Sequence, residues 1–306
     1  VSLWDDRPLA ARVVEALALG PASGQALASA FGVSRAAIWK AIEQLRAEGV
    51  ELRAAAGVGY ELVDPAGFGA GVLSWRCARP VHYFPETDST SRRAFALAMD
   101  GAESGTLVVA DSQTAGRGRL GRSWVSPPGT NLYLSLVLRP PLQPAQAPLL
   151  CLAAAVGVAE ACGALIKWPN DVLAPDGRKV AGILAELQAE VDALRFVVLG
   201  IGVNVNHAPP DVPAASVSEL RGAPQDRAAL LGELVAAVER RCAQVGPDSP
   251  ALLAAWRARS MTLGHRVRVG DVEGVAVDVR SDGALLLDGG RAIVAGDVEM
   301  VAQPSV

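Results

Sequence analysis

The sequence predicts a multidomain α+β protein, and three observations carry that prediction. The chain is 306 residues long, more than one average domain holds and enough for two or three. Its hydrophobic periodicity changes along the way, from helical spacing, through mixed helices and strands, to a run of short strands. Its composition is 51% hydrophobic and 20% charged, that of a globular protein, which excludes disorder as the main state.

Residues 1–64 read as three helices and a hairpin. Leu9, Val13, Val14 and Leu17 give helical spacing over 8–19. Ser23 is an N-cap candidate for a short helix over 24–31, and Gly32 stops it. Ser34 is a second N-cap candidate, for a helix over 35–48 with Ile38, Ile42 and Leu45 as its buried stripe and Gly49 as its stop. Strands over 50–54 and 60–63 flank a turn at Gly57 and Gly59. This order is that of a winged helix-turn-helix. The segment holds six basic and eight acidic residues, but the N-terminal half of its third helix carries Arg35 and Lys40 and no acid. That half is the one that enters a major groove, so Ser34, Arg35 and Lys40 are the candidate DNA contacts. A winged helix that binds protein instead is the alternative.

Residues 65–82, with Pro65, Gly67, Gly69 and Gly71, read as a linker. Residues 83–261 form a central domain, with strands expected over 106–110, 132–138, 164–167, 179–187 and 196–205. Helices are expected over 89–100, 147–162, 227–245 and 251–260. The elements do not alternate strictly, so a mixed sheet is predicted. Residues 262–306 change character. Short β runs at 267–269, 272–279, 284–287, 291–294 and 298–301 are separated by Gly270-Asp271, Asp282-Gly283 and Gly289-Gly290. Five short strands in so few residues predict a small SH3-like β-barrel.

Charge and cysteine usage exclude several classes. The net charge of −4 is not that of a polybasic nucleic-acid binder, so any DNA contact is local. Cys77, Cys151, Cys162 and Cys242 form no CxxC pair, which excludes a zinc ribbon and a disulfide framework and fits a reducing compartment. His82, His207 and His265 are isolated, and no metal site is expected. No basic-then-apolar segment opens the chain. The most membrane-like stretch, 149–166, holds Glu160 near its centre, so a buried helix is expected there. A cytoplasmic protein without a membrane partner follows. Of the 28 basic residues only Lys40, Lys167 and Lys179 are lysine. Where lysine survives such a bias toward arginine, its compact ammonium is a candidate for function.

The densest signal is Gln113-Thr-Ala-Gly116-Arg117-Gly118-Arg119-Leu-Gly121-Arg122-Ser-Trp124. Its glycines match GxGxxG after a predicted strand. A dinucleotide fold would need a helix next, and Ser126-Pro127-Pro128-Gly129 forbids one. The segment instead offers a close-wrapping backbone and three guanidinium groups, with no acidic residue between 112 and 159. Such a loop suits a phosphate or carboxylate. The second signal is Lys167-Trp168-Pro169-Asn170-Asp171, at the end of a strand, where an amide and a carboxylate are offered to a nucleotide or a magnesium ion. Taken alone it is an Asn-Asp turn. The third is Lys179-Val-Ala-Gly182-Ile-Leu-Ala-Glu186, and the fourth Gly200-Ile-Gly202-Val-Asn204-Val-Asn206, a strand with one bare face for a flat apolar ligand or for close packing. The fifth, Thr87-Asp88-Ser89-Thr90-Ser91, reads first as a helix cap and second as a source of hydroxyls. No GK[ST] sequence occurs. Together these residues describe a site that binds a carboxylate beside a nucleotide phosphate and works by orientation and charge.

In their order along the chain, GRGRLGRSW, KWPND, KVAGIL and GIGVNVN resemble the bifunctional biotin–protein ligase and biotin-operon repressor family, nearly end to end. The resemblance implies a central ligase domain that makes biotinyl-5′-adenylate from biotin and ATP-Mg2+. It then transfers biotin to a lysine of the biotin carboxyl carrier protein of acetyl-CoA carboxylase. It implies that Ser89, Thr90, Ser91, Gln113, Gly116, Arg117, Gly118, Gly182 and Gly202 bind biotin. Arg117, Arg119, Arg122, Trp124, Asn131, Lys167, Asn170, Lys179 and Asn204 would hold the ATP or adenylate. Arg119, Lys179 and Asp171 would carry the chemistry. It also implies a homodimer, formed when the adenylate is bound, that represses transcription on operator DNA. Two positions depart from the family: Ser91 stands where Asn is common, and Met300-Val301-Ala302 stands where enteric members carry an arginine near the C-terminus. The alternatives are a ligase whose winged helix does not bind DNA, a biotin-sensing repressor without ligase activity, and a lipoate attachment enzyme, against which the arginine loop and winged helix argue.

Overall fold

The computed structural model describes residues 9–47, 50–55, 57–63 and 68–301. Pro8, Glu48, Gly49, Asp64, the 65–67 part of the expected linker and Ala302 lie outside the described residues. The chain forms two compact units. One comprises Val1–Tyr83 with Asp226–Ala229, the other Phe84–Gln225 with Leu230–Val306.

The first unit begins with helices α1 (Leu9–Ala18), α2 (Gly24–Phe31) and α3 (Arg35–Ala47), then the hairpin β1 (Leu52–Ala55) and β2 (Gly59–Leu62). The caps are those the sequence predicts. Ser23 Oγ accepts the Ala26 N–H at 3.0 Å, and Ser34 Oγ accepts the Ala37 N–H at 3.1 Å. Val13, Val14 and Leu17 of α1 and Ile38, Ile42 and Leu45 of α3 are buried and form the core of the bundle. A further helix, α4 (Ala70–Arg76), occupies part of the expected linker, with Val72 and Leu73 buried. Gly69 and Gly71 hid it. Gly69 is its cap rather than a break.

The second unit is built on a seven-stranded sheet. Its elements run β3 (Val81–Thr87), α5 (Thr90–Met99), β4 (Leu107–Gln113), β5 (Leu132–Leu138), α6 (Ala147–Cys162), β6 (Leu165–Lys167), β7 (Asp171–Leu173), β8 (Lys179–Ala189), β9 (Leu194–Val203), α7 (Val217–Arg221), α8 (Arg227–Cys242) and α9 (Pro250–Arg257). The strand order is β3-β4-β5-β9-β8-β7-β6, and the ladders from β4 to β6 are all antiparallel. The mixed sheet expected from the sequence is therefore antiparallel over these six strands. Strands β3 and β7 carry no long apolar run, and periodicity did not predict them.

Helix α6 is the membrane-like stretch. The segment Pro144–Cys162 is long and apolar enough to cross a bilayer, but 72% of its apolar window is buried inside the protein. It is the core helix of the unit, buried on nearly every side. On the sheet's other flank, Ala94 and Ala98 of α5 pack against Val108, Val137, Phe196 and Val198. Each large aliphatic side chain buried in this way contributes about 1.5–3 kcal/mol.

Strands β10 (Arg266–Val269), β11 (Val272–Val279), β12 (Leu285–Leu287), β13 (Ala292–Ile293) and β14 (Glu299–Met300) form a second sheet in the same unit, in the order β13-β12-β11-β10-β14. The five strands appear where the turn signals place them. The closure of a barrel does not: among the described residues no ladder joins β13 to β14, so the sheet is open.

Candidate active site

A cleft of about 650 Å3 opens over the central sheet of the second unit. Its floor is the bare face of β8 and β9, where Gly182 and Gly202 are register partners. The indole of Trp124 lies on that floor. A Cβ on Gly202 would come within 2.5 Å of its ring nitrogen, and one on Gly182 within 3.1 Å of its ring carbon. The two glycines are needed because an aromatic ring approaches the strand face directly.

The arginine loop folds as a closed finger. Arg117 and Ser123 form an antiparallel bridge, the Trp124 N–H donates to Gly116 O at 2.9 Å, and the Gly118 N–H donates to Arg122 O at 2.7 Å. The N–H groups of Gly118 and Trp124 are thus spent inside the loop, where the sequence had suggested an exposed cradle. Gly116 does not line the cleft. Its Cβ would lie 2.5 Å from Trp124 O, so a glycine is required for the loop to close. At the tip, Leu120 has φ 55° and is exposed.

Each loop arginine meets a carboxylate from a distant part of the chain. Arg117 Nη1 lies 3.0 Å from Glu186 on β8. Arg119 Nη1 lies 3.4 Å from Asp297, before β14, and donates to Asn170 Oδ1 at 3.0 Å, while its Nη2 donates to Gly296 O at 3.3 Å. Arg122 also pairs with Asp297. The absence of acids between 112 and 159 therefore does not leave these arginines unneutralised. Glu186 closes a motif quoted above, whereas nothing in the sequence marks Asp297.

Opposite the loop, Asp171 lies between two lysines. Its carboxylate is 2.5 Å from Lys179 Nζ and 3.5 Å from Lys167 Nζ. The positions come from register: Lys167 faces Asp171 across the β6–β7 hairpin, and Asp171 faces Gly182 across β7–β8. Lys179 Nζ also sits 5.5 Å from the centre of the Trp124 ring. Asn170 is held by its amide, which donates to Ile183 O at 2.8 Å. Trp168, wholly buried, ties the KWPND turn to the C-terminal part of the unit, donating from Nε1 to Gly283 O at 3.0 Å.

Two of the predicted asparagines serve the backbone. Asn204 lines the cleft but spends its amide on Lys179 O and Ala215 O, each at 3.2 Å, which fixes the start of β8. Asn131 does not line the cleft. It is fully buried and accepts from the N–H groups of Val205 at 2.9 Å and His207 at 3.3 Å, bracing the chain beyond β9.

At the other end of the cleft stand Ser89, Thr90, Ser91 and Gln113. Ser89 is the N-cap position of α5, yet its hydroxyl makes no capping bond. It is buried against the cleft, so the cap reading fails for this residue. Burial raises the Cys151 thiol to about 12, and Cys162 and Cys242 likewise, which removes all three as nucleophiles at neutral pH. The cleft lining thus carries five cations (Arg117, Arg119, Arg122, Lys167 and Lys179) and two carboxylates, Asp171 and Asp297.

On the first unit, Arg35 and Lys40 are exposed on α3, and Trp39 beside them is 58% exposed. Sequence reasoning passed over Trp39, although an aromatic between two basic residues was the available signal. Ser34 is engaged as the cap of α3.

Residues 83–204 match the biotin/lipoate A/B protein ligase family, and residues 12–61 match an HTH domain. The bifunctional ligase/repressor BirA of Bacillus subtilis is 38% identical over 305 residues, covering 91% of this chain and 93% of that protein. The chain belongs to the bifunctional biotin ligase/repressor family. The biotin–[acetyl-CoA-carboxylase] ligase of Mycobacterium tuberculosis, at 42% identity, covers 72% of this chain and 88% of that one. Among solved structures, the biotin protein ligase from Aquifex aeolicus in complex with biotin and ATP superposes with a TM-score of 0.61 at 29% identity, over 73% of this chain and 99% of that chain. For a member of this family, the cleft over β8 and β9 is the candidate ligase site and α3 the candidate DNA-contacting helix.

Proposed function

We propose that the cleft joins biotin to ATP and passes the biotin to a carrier lysine. A carboxylate oxygen of biotin attacks the α-phosphorus, pyrophosphate leaves, and biotinyl-5′-adenylate remains. A lysine amine of a biotin carboxyl carrier protein then attacks the acyl carbon, AMP leaves, and the amine gives up a proton. The carrier is that of acetyl-CoA carboxylase, in keeping with the names of the ligase relatives.

The observation that carries this reading is the cationic wall above the glycine floor. Lys179, Lys167 and Arg119, the last held by Asn170, converge on the space over Gly182 and Gly202. Pre-placed cations stabilise charge that builds on the phosphate oxygens without reorganising at the moment of reaction. Ser89, Thr90, Ser91 and Gln113 take the ureido end of biotin, and Trp124 and Arg122 face the adenylate. Asp171, released by its lysines as they turn to phosphate, takes the proton from the incoming amine. A magnesium ion accompanying the phosphates would find carboxylate oxygens at Asp171 and Asp297, the two acids of the cleft lining. Among the described residues no group of three His, Cys, Asp or Glu side chains forms a resident metal site. The ion would offset phosphate charge.

In the same reading, the adenylate-bound chain dimerises and represses operator DNA through Arg35, Lys40 and the N-terminus of α3, in the cytoplasm. The five-stranded sheet from β10 to β14, beside the site, is an open relative of an SH3-like barrel.

Biotin-dependent ATP–pyrophosphate exchange tests the first step. The expected result is exchange by the parent chain and a loss of about 10²–10³-fold in Lys179→Ala. Absence of exchange from folded, biotin-binding protein would overturn the ligase reading and leave a biotin sensor.

A further inference from the structure

A chain of side-chain hydrogen bonds leaves the biotin end of the cleft and returns to the arginine loop through the interior of the sheet. At its centre is Ser135 on β5, a wholly buried residue that does not line the cleft. Ser135 Oγ donates to Thr90 Oγ1 at 2.9 Å. A hydroxyl has one proton, so the 3.1 Å contact between Ser91 Oγ and Ser135 Oγ is one that Ser135 accepts. Thr90 Oγ1 donates onward to Gln113 Oε1 at 3.3 Å, and that oxygen also accepts the Thr90 N–H at 2.9 Å. Gln113 Nε2 donates to Ser126 Oγ at 2.9 Å, and Ser126 Oγ donates to Trp124 O at 3.1 Å.

The protons run in one sense, inward from Ser91 to Ser135 and then back to Thr90 and on to Gln113, which themselves line the cleft. From Gln113 to Ser126 to Trp124, every proton points toward the loop. Two consequences follow. Ser91, which does line the cleft, has its proton turned inward and offers a ligand lone pairs only. The far end of the chain is the carbonyl of Trp124, the residue at which the arginine finger closes, since the Trp124 N–H donates to Gly116 O. Thr90, Ser91, Ser126 and Ser135 are all buried, so a hydroxyl without its neighbour would be left unsatisfied in a low-dielectric setting.

We infer that Ser135 is a positioning residue: it fixes the polarity of the Ser91 and Thr90 hydroxyls and, through Gln113 and Ser126, couples an occupant of that end of the cleft to closure of the 116–124 loop. The inference rests on the proposal that the cleft binds biotin, whose ureido N–H groups are the donors that a lone-pair-only Ser91 selects. Gly200, the register partner of Ser135, leaves room for this arrangement, because a Cβ there would collide with Ser91 Oγ.

The test uses the full chain and reads two quantities: biotin affinity by titration calorimetry, and trypsin nicking at Arg117, Arg119 and Arg122 with biotin at saturation. In the parent, biotin slows nicking. Ser135→Ala is expected to weaken biotin binding about tenfold and, even at saturation, to lose the protection of the loop. Ser126→Ala, at the other end and off the central sheet, is expected to lose the protection with a smaller loss of affinity. Full protection retained at saturation in either variant would overturn the coupling. A lowered Tm with unchanged biotin affinity in Ser135→Ala would reduce Ser135 to a core residue and overturn the inference. A parent that binds biotin but gains no protection overturns this inference alone, whereas one that binds no biotin overturns the proposed function as well.

Discussion

The protein gathers cations in two places that we propose meet phosphate, and it holds them differently. On α3, Arg35 and Lys40 stand exposed and pair with no carboxylate among the described residues. Around the cleft, Arg117, Arg119, Arg122, Lys167 and Lys179 each face a carboxylate of the protein itself. Exposed cations exchange small mobile ions for DNA phosphate, so their contribution is salt-dependent and carries no sequence information. Cations already paired in a cleft exchange one fixed partner for another. Their positions are already set by Asp171 and Asp297, with which the phosphate of the proposed substrate would compete. The first arrangement favours rapid, adjustable association, the second geometric selectivity.

This contrast is open to attack from both sides. The largest effect is expected on α3. Arg35→Ala combined with Lys40→Ala should lower the salt dependence of operator binding by about two in the slope of log K against log salt, and cut affinity by roughly tenfold or more at moderate salt. ATP–pyrophosphate exchange should not change. A gel shift across a salt series, with biotin and ATP present, measures it. An unchanged slope would remove α3 from the DNA interface. A smaller effect is expected from Asp297→Asn. Partly exposed ion pairs are worth about 0–1 kcal/mol, so freeing Arg119 and Arg122 should lower the KM for ATP by no more than about fivefold. A rise in KM would show instead that Asp297 orients Arg119 for substrate. The smallest concerns Ser34. As the cap of α3 its loss in Ser34→Ala should cost about 1 kcal/mol in the stability of the first unit, read by thermal denaturation, with the salt slope unaltered. A fall in the slope would return Ser34 to the phosphate contacts.

Much of the site was legible because its parts are short motifs. The residues of the arginine loop, the KWPND turn, the strand from Lys179 and the glycine strand through Gly200 and Gly202 come together around one cleft. Helices α2 and α6 lie within the predicted spans because their caps and apolar periods are local. Strands β3 and β7 escaped notice for the opposite reason. The first alternates weakly, and the second is three residues long and exists because it pairs with β6 and β8. The family resemblance placed Asn131 at the adenylate; its burial and its two backbone donors show it bracing the chain beyond β9 instead. Glu186 and Asp297 were missed as partners because no spacing rule links them to Arg117, Arg119 or Arg122.

The sequence by itself determined the local hairpins and caps, the lysines retained at 167 and 179, and the glycines that leave β8 and β9 bare. Those features act through backbone sterics and hydrogen bonds a few residues apart, which a linear pattern records. Only the tertiary structure decided which acid neutralises each arginine, that Trp124 lies on the glycine floor, and that a line of buried hydroxyls runs from Ser91 to the arginine loop. Coulombic pairing, ring packing and the direction of a hydroxyl proton depend on distances through space, and folding sets those distances between residues far apart in the chain.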